Sequence, residues 1–259
     1  MSTDQQTPLK KTALVTGAAR RIGRTIALAL AQRGWDVVVH YASSEAEAHA
    51  TVADITALGQ RAIALQCDLN DETAVKNLLA HAATQLGAIS CVVNNASLFD
   101  YDSASDFSAT TLDAHMHTNL VAPVLLAQAL HRATPDGAQA VVINLLDQKL
   151  FNLNPDFLSY TLSKAALHSA TTMLAQALAP KLRVVGVAPG ITLVSGEQSA
   201  ADFERAHKVT PLGRSSTPDD IAHAVCYAVE AQAMTGTTLV VDGGQHLIPL
   251  QRDVMFGAS

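Results

Sequence analysis

A tyrosine and a lysine stand four residues apart in the run Tyr160-Thr161-Leu162-Ser163-Lys164. Residues at that spacing share one face of a helix, so the phenol and the ammonium can serve one site. A free phenol titrates near ~10 and is a poor acid–base catalyst at neutral pH; a nearby cation stabilises the phenolate and brings it toward the working range. Tyr-x-x-x-Lys matches arise often by chance, so the pair gains meaning only from its surroundings.

The surroundings begin with Thr16-Gly17-Ala18-Ala19-Arg20-Arg21-Ile22-Gly23, which follows an apolar run and opens a helical pattern. A tight turn at Gly17, small residues behind it and Gly23 where helix meets sheet let backbone N–H groups approach a pyrophosphate at a helix N-terminus. An NAD site usually has a carboxylate at the end of the second strand for the ribose 2′-hydroxyl. Here that region reads His40-Tyr41-Ala42-Ser43-Ser44, with no carboxylate. Arg20 projects from the turn toward where a 2′-phosphate would lie, and Ser43 and Ser44 add hydroxyls. NADP(H) is therefore expected over NAD(H), with a solvated surface role as the alternative for Arg20.

The elements that must position these groups are legible as short apolar runs at 12–16, 36–41, 61–66, 91–94, 140–145, 183–187 and 238–241. They are apolar throughout rather than alternating, as in parallel strands covered on both faces. Helical stretches lie between them, such as 22–33, stopped by Gly34, and 160–179, stopped by Pro180. The βαβα order gives an α/β, doubly wound parallel sheet with helices on both faces, in one domain over 1–259. Residues 1–10 read as a flexible N-terminus, and 190–217 as a substrate loop with room for a short helix.

Composition bounds the rest. With 49% hydrophobic residues in a chain of 259 the core is ample, and with 4% aromatics it must be aliphatic. A formal charge of −6 argues against a nucleic-acid partner. No apolar run reaches about 18 residues without a charge, so no membrane span is expected and a cytoplasmic protein is the default. Cys67, Cys91 and Cys226 form no metal or disulfide pattern and read as small buried hydrophobes. His115 and His117, two apart on a helix, cannot share a ligand face, so no metal site is expected. No Gly-x-Ser-x-Gly elbow or Walker loop occurs.

Taken together, the turn, the Tyr160/Lys164 pair and the strand order resemble the short-chain dehydrogenase/reductase family over essentially the whole chain. The resemblance implies a Rossmann-type sheet of seven strands, NAD(P)-dependent hydride transfer and a homotetramer. It assigns cofactor contacts to Gly17, Arg20, Arg21, Ile22, His40, Tyr41, Ser43, Ser44, Asp68, Leu69, Asn95, Ala96, Tyr160, Lys164, Pro189, Gly190 and Thr192. Asp68 matches the residue at the adenine, Asn94-Asn95-Ala96 the motif that steadies the central sheet, and Pro189-Gly190 the turn beside the nicotinamide. Asn119 matches the helix asparagine of the proton relay, beside the catalytic Tyr160 and Lys164.

Three departures from the family narrow the substrate. Asp147 stands 13 residues before Tyr160, where most members have serine; Arg21 replaces the second glycine of the turn; and Ser97 replaces the glycine after Asn-Asn-Ala, with Phe99 following. A carboxylate would repel a developing alkoxide and raise the cost of ionising Tyr160, and suits a substrate that presents N–H groups or a ring nitrogen awaiting a proton. Arg21 offers a planar cation with five donors, Ser97 a hydroxyl and Phe99 a flat face. Singly, each has a plainer reading: a capping Asp, a surface Arg, a core Phe. Jointly they resemble the pteridine reductases of the family, which implies NADPH-dependent reduction of a pterin or folate. In that reading Arg21, Ser97, Phe99, Asp147 and Tyr160 contact substrate, and Asp147, Tyr160, Lys164 and Asn119 are catalytic. The second strand lacks the arginine some pteridine reductases place there. A 3-oxoacyl thioester or sugar reductase is the enzymatic alternative, and an NADP-binding sensor the non-enzymatic one.

Overall fold

The computed structural model describes residues 9–194 and 198–256. Most of the expected flexible N-terminus, and positions 195–197 of the expected substrate loop, lie outside the described residues.

One parallel sheet holds β1 (Thr12–Val15), β2 (Asp36–Tyr41), β3 (Ala62–Gln66), β4 (Cys91–Asn94), β5 (Ala140–Leu145), β6 (Leu182–Pro189) and β7 (Thr238–Val241). Its seven strands run in the order β3-β2-β1-β4-β5-β6-β7. The chain reverses direction across the sheet between β1 and β4, and the crevice there opens at the C-terminal ends of the strands. The strands are apolar on both faces over most of their length because alternate residues serve two cores. Ala13 and Val15 pack with α1 (Arg21–Ala31), α2 (Glu45–Ala57) and α8 (Pro218–Glu230). Leu14, between them, packs with α3 (Glu72–Leu86) and α5 (Ala122–Ala133) on the other face, where the end of α6 (Leu158–Ala177) joins. All three cysteines are buried and free.

The expected strand bounds hold for β2, β4, β5 and β7; β6 is longer at both ends. The loop after β6 carries α7 (Ala200–Lys208), the short helix for which the sequence left room.

Two local devices bear on the site. A π-helical turn, His117–Val121, interrupts the helical run from α4 (Ala109–Met116) into α5 and carries buried Asn119 at its centre. A π turn shifts side-chain phase, which re-aims Asn119 without ending the helix. Behind the sheet, Asn94 Nδ2 donates to Asn144 Oδ1 at 2.8 Å, and Asn144 Nδ2 donates to Thr171 Oγ1 at 2.9 Å. This buried polar chain ties β4, β5 and α6 together and helps fix how far α6 stands from the strand ends.

Candidate active site

The first turn is built by backbone economy. Gly17 has φ +62°, and a Cβ there would lie 3.1 Å from Ala96 Cα. A Cβ on Gly23 would come within 2.2 Å of the Gly17 carbonyl oxygen, so only glycine lets α1 start this close to the turn. Thr16 Oγ1 accepts from both Asn95 N and Ala96 N at 2.9 Å, and Asn95 Nδ2 donates to Thr16 O at 2.8 Å. No acidic side chain stands in the first turn of α1. A tight glycine cradle at a helix N-terminus free of carboxylates fits a pyrophosphate.

His40 supports this cradle from below. It is fully buried; its Nδ1 accepts from Gly17 N at 3.0 Å, and its Nε2 lies 3.0 Å from Cys67 O, which fixes the Nε2–H tautomer. Burial holds the imidazole neutral, down to about 4. Both ring nitrogens are engaged by backbone, so His40 shapes the turn rather than reaching into the cavity.

Arg20 is exposed, with its guanidinium 3.7 Å from Glu47 on α2, the helix that follows Ser43 and Ser44. The sequence at the end of β2 shows no carboxylate, but the fold brings this one alongside. Tyr41 and Leu69 are buried near the ends of β2 and β3, and Asp68 Oδ1 accepts from Asn70 N at 2.9 Å.

Beyond the turn, the strand ends enclose a cavity of about 260 Å³. It brings together Arg21, Ile22, Asn95, Ser97, Phe99, Asp147, Tyr160, Lys164, Pro189, Gly190 and Thr192, all expected from the sequence. Gly17, Arg20, His40, Tyr41, Ser43, Ser44, Asp68, Leu69, Ala96 and Asn119 do not line it. Arg21 sits at φ +54°, in the left-handed region where glycine is the comfortable residue, and its guanidinium donates to Val194 O at 3.0 Å. Phe99 stacks on Phe157, with centroids 4.3 Å apart, and meets Tyr160 edge-on at 4.6 Å. It is both a packed aromatic and a cavity wall.

Tyr160 Oη donates to Asp147 Oδ2 at 2.7 Å. Asp147 Oδ1 accepts from Lys149 N at 2.8 Å, which caps the short 3-10 helix Gln148–Phe151. Lys164, buried, donates to Leu145 O at 2.8 Å and lies 5.8 Å from the Tyr160 ring centre. Burial first, and then the Asp147 carboxylate, push the Tyr160 phenol well above its ordinary value. Burial likewise raises Asp147, while Lys164 falls to about 8. Of the two opposing influences that the sequence places at the phenol, the cation of Lys164 and the carboxylate of Asp147, the carboxylate prevails. With a carboxylate at hydrogen-bond distance, desolvation and like charge outweigh the ammonium, and Tyr160 stands as a protonated donor.

Asn119 works at one remove. Its Oδ1 accepts from Leu98 N at 2.8 Å and from Ser97 Oγ at 3.2 Å, and its Nδ2 donates to Ser163 Oγ at 2.9 Å. It thereby joins Ser97, on the cavity wall, to α6. Gln198, within the expected substrate loop, lines the cavity as well; sequence reasoning missed Gln245, Asp253, Val254 and Met255, which also line it. No local motif marks them, because the tail reaches the site only through the tertiary fold.

Residues 17–246 match the family model described as enoyl-(acyl carrier protein) reductase, a short-chain dehydrogenase group. The chain belongs to the short-chain dehydrogenase/reductase family. A crystal structure of FolM alternative dihydrofolate reductase 1 from Brucella canis, complexed with NADP, superposes with a TM-score of 0.89 at 41% identity, covering 93% of this chain and 96% of that one. An uncharacterised oxidoreductase of Methylorubrum extorquens is 35% identical over 90% of this chain and 97% of its own. A 3-oxoacyl-[acyl-carrier-protein] reductase, FabG, of Staphylococcus aureus is 32% identical over 92% of this chain and 99% of its own. As a family member the chain is an oxidoreductase. No helix of the described residues is long and apolar enough to cross a membrane, and no group of three or more His, Cys, Asp or Glu among them is placed to hold a metal.

Proposed function

We propose that this chain is an NADPH-dependent pteridine reductase that reduces dihydropterins to tetrahydropterins, with oxidised pterins and dihydrofolate as further candidate substrates. The observation that carries the reading is the 2.7 Å hydrogen bond from Tyr160 to the Asp147 carboxylate on the cavity wall. An alkoxide forming beside that carboxylate would be repelled. A ring nitrogen that takes up a proton, or an amino group that donates one, is stabilised there instead.

The glycine cradle of Gly17 and Gly23 and the α1 N-terminus would hold the pyrophosphate, with Arg20, Ser43 and Ser44 toward the 2′-phosphate. Lys164 would hold the nicotinamide ribose, and NADPH when bound supplies a hydride. Arg21 would present donors and Ser97 a hydroxyl oxygen to the edge of a planar substrate, and Phe99 gives it a flat neighbour. Tyr160 gives its proton to a substrate ring nitrogen, and Asp147 keeps that phenol oriented and protonated until transfer. NADP in the similar FolM structure supports the cofactor. A homotetramer in the cytoplasm, with no nucleic-acid or membrane partner, completes the proposal.

The competing reading, a 3-oxoacyl thioester reductase, is favoured by the similarity to FabG. Steady-state NADPH oxidation with dihydrobiopterin, dihydrofolate and acetoacetyl thioester side by side separates the two. Turnover is expected with the pterins, and turnover with the thioester alone would overturn the proposal. Asp147→Ser is expected to lose pterin turnover by about 100-fold, the usual scale for a positioned acid–base group.

A further inference from the structure

The buried side of the site contains a lysine that the proton pair does not use directly. Lys149 is 2% exposed, among the least accessible large side chains of the molecule. Its ammonium donates to Asp156 O and, at 3.1 Å, to Asp253 Oδ2. Asp253 belongs to the C-terminal segment and lines the cavity with Val254 and Met255. That segment is fastened by Asp156, whose carboxylate accepts from Arg252 Nε at 2.8 and 3.0 Å and from Asp253 N at 2.7 Å. Asp253 Oδ1 in turn accepts from Met255 N at 3.1 Å. Phe256, one residue on, stacks toward Phe157, the ring behind Phe99.

Lys149 therefore touches two carboxylates of one site, Asp147 through its backbone N–H and Asp253 through its ammonium. A buried ammonium without a counter-ion is strongly unfavourable, so the Lys149 contact holds the Asp253 carboxylate at the cavity. We propose that Lys149 and Asp253 are positioning residues for proton transfer, an ion pair of opposed charges that sets the proton affinity of the Asp147–Tyr160 couple.

The charged and titratable groups facing that couple are Lys149 from the turn after β5, Lys164 from α6, Asp253 from the C-terminal segment and Arg21 from the first turn. Burial is the main push on both members. Asp253 adds to it for each, and Lys149 opposes it at Asp147. Reduction needs the couple protonated, so activity falls as pH rises through its apparent value. Removing Asp253's charge lowers that value; removing Lys149's charge raises it.

The inference rests on reading Asp147 and Tyr160 as the proton pair, which Asp147→Ser tests by itself. The test here is the pH profile of kcat/KM for NADPH oxidation with dihydrobiopterin. Asp253→Asn is expected to move the alkaline limb down and Lys149→Met to move it up, each by about half a pH unit or more. The double variant is expected to return close to the parent limb. A merely structural latch predicts the same direction of change from both single variants, because each breaks the same contact, and that result would overturn the proposal. An unmoved limb in both would overturn it as well. Where Lys149→Met fails to fold, Lys149→Arg and Asp253→Asn carry the test: the former is expected to leave the limb in place and the latter to lower it, and any other pattern rejects the role.

Discussion

Arg21 shows how one position can serve chemistry against its own backbone preference. A non-glycine residue at φ +54° is strained by about 1 kcal/mol, and the family's glycine at this place would relieve it. The guanidinium that results lines the cavity. Arg21→Gly is therefore expected to leave the Tm unchanged or higher while raising KM for dihydrobiopterin by roughly 10-fold or more, the scale of a lost charged hydrogen bond. A lower Tm with unchanged KM would assign Arg21 to the fold alone. His40 shows the reverse, a residue that looks chemical and is structural. Its folded value of about 4 lies below the unfolded 6.5, so above 6.5 both states are neutral and its contribution is complete. As pH falls from 6.5 toward 4 the unfolded chain takes the proton first, and about 3 kcal/mol of stability is lost. Urea midpoints measured across that window should decline in the parent and decline less in His40→Gln. The motif at 40–44 was legible; that both imidazole nitrogens face backbone was not, since Cys67 O and Gly17 N reach them only across neighbouring strands.

At the scale of elements, the sheet could be read from the sequence because its strands are uninterrupted apolar runs, and those runs are forced by having a core on each face. Helix starts were legible where a turn residue marks them. The π turn at His117–Val121 was not, because nothing in the local pattern of apolar residues distinguishes a π turn from the α-helix around it. Nor was the tail: Lys149 and Asp253 are 104 positions apart, and periodicity carries no information about that distance. A close approach that bears on the site is that of α1 to the first turn, where a Cβ on Gly23 would meet a backbone oxygen at 2.2 Å. Backbone cannot swing aside as a flexible side chain can, so Gly23→Ala must push the helix start away from the turn. The expected result is at least a 10-fold loss of NADPH affinity in a fluorescence titration, with the cavity residues Tyr160 and Asp147 untouched. Undiminished binding would show that the pyrophosphate does not rely on this approach.

At the scale of the molecule, an apolar face on α5 and α6 remains unburied by the chain itself. Met173 on α6 is 66% exposed and lies beside Val121 of the π turn and Val124 and Leu125 of α5, while Leu162, earlier on α6, is 45% exposed. Those two helices run on the side of the sheet opposite α1 and α8; α6 carries Tyr160 and Lys164, and the π turn before α5 carries Asn119. Large exposed side chains at helical spacing on adjoining helices are what an interface between like subunits buries, and the proposed homotetramer gives this face its occupant. A charge placed there would have to be desolvated on each subunit, and a two-fold contact would set it against its own copy. Met173→Glu is thus expected to yield smaller particles than the parent in analytical ultracentrifugation at micromolar concentration. Since α6 also presents the catalytic pair, the dissociated form should lose kcat along with Tm, both returning with Met173→Leu. A parent that sediments as a monomer would remove the tetramer, and a Met173→Glu variant that sediments with the parent would remove this face from the assembly.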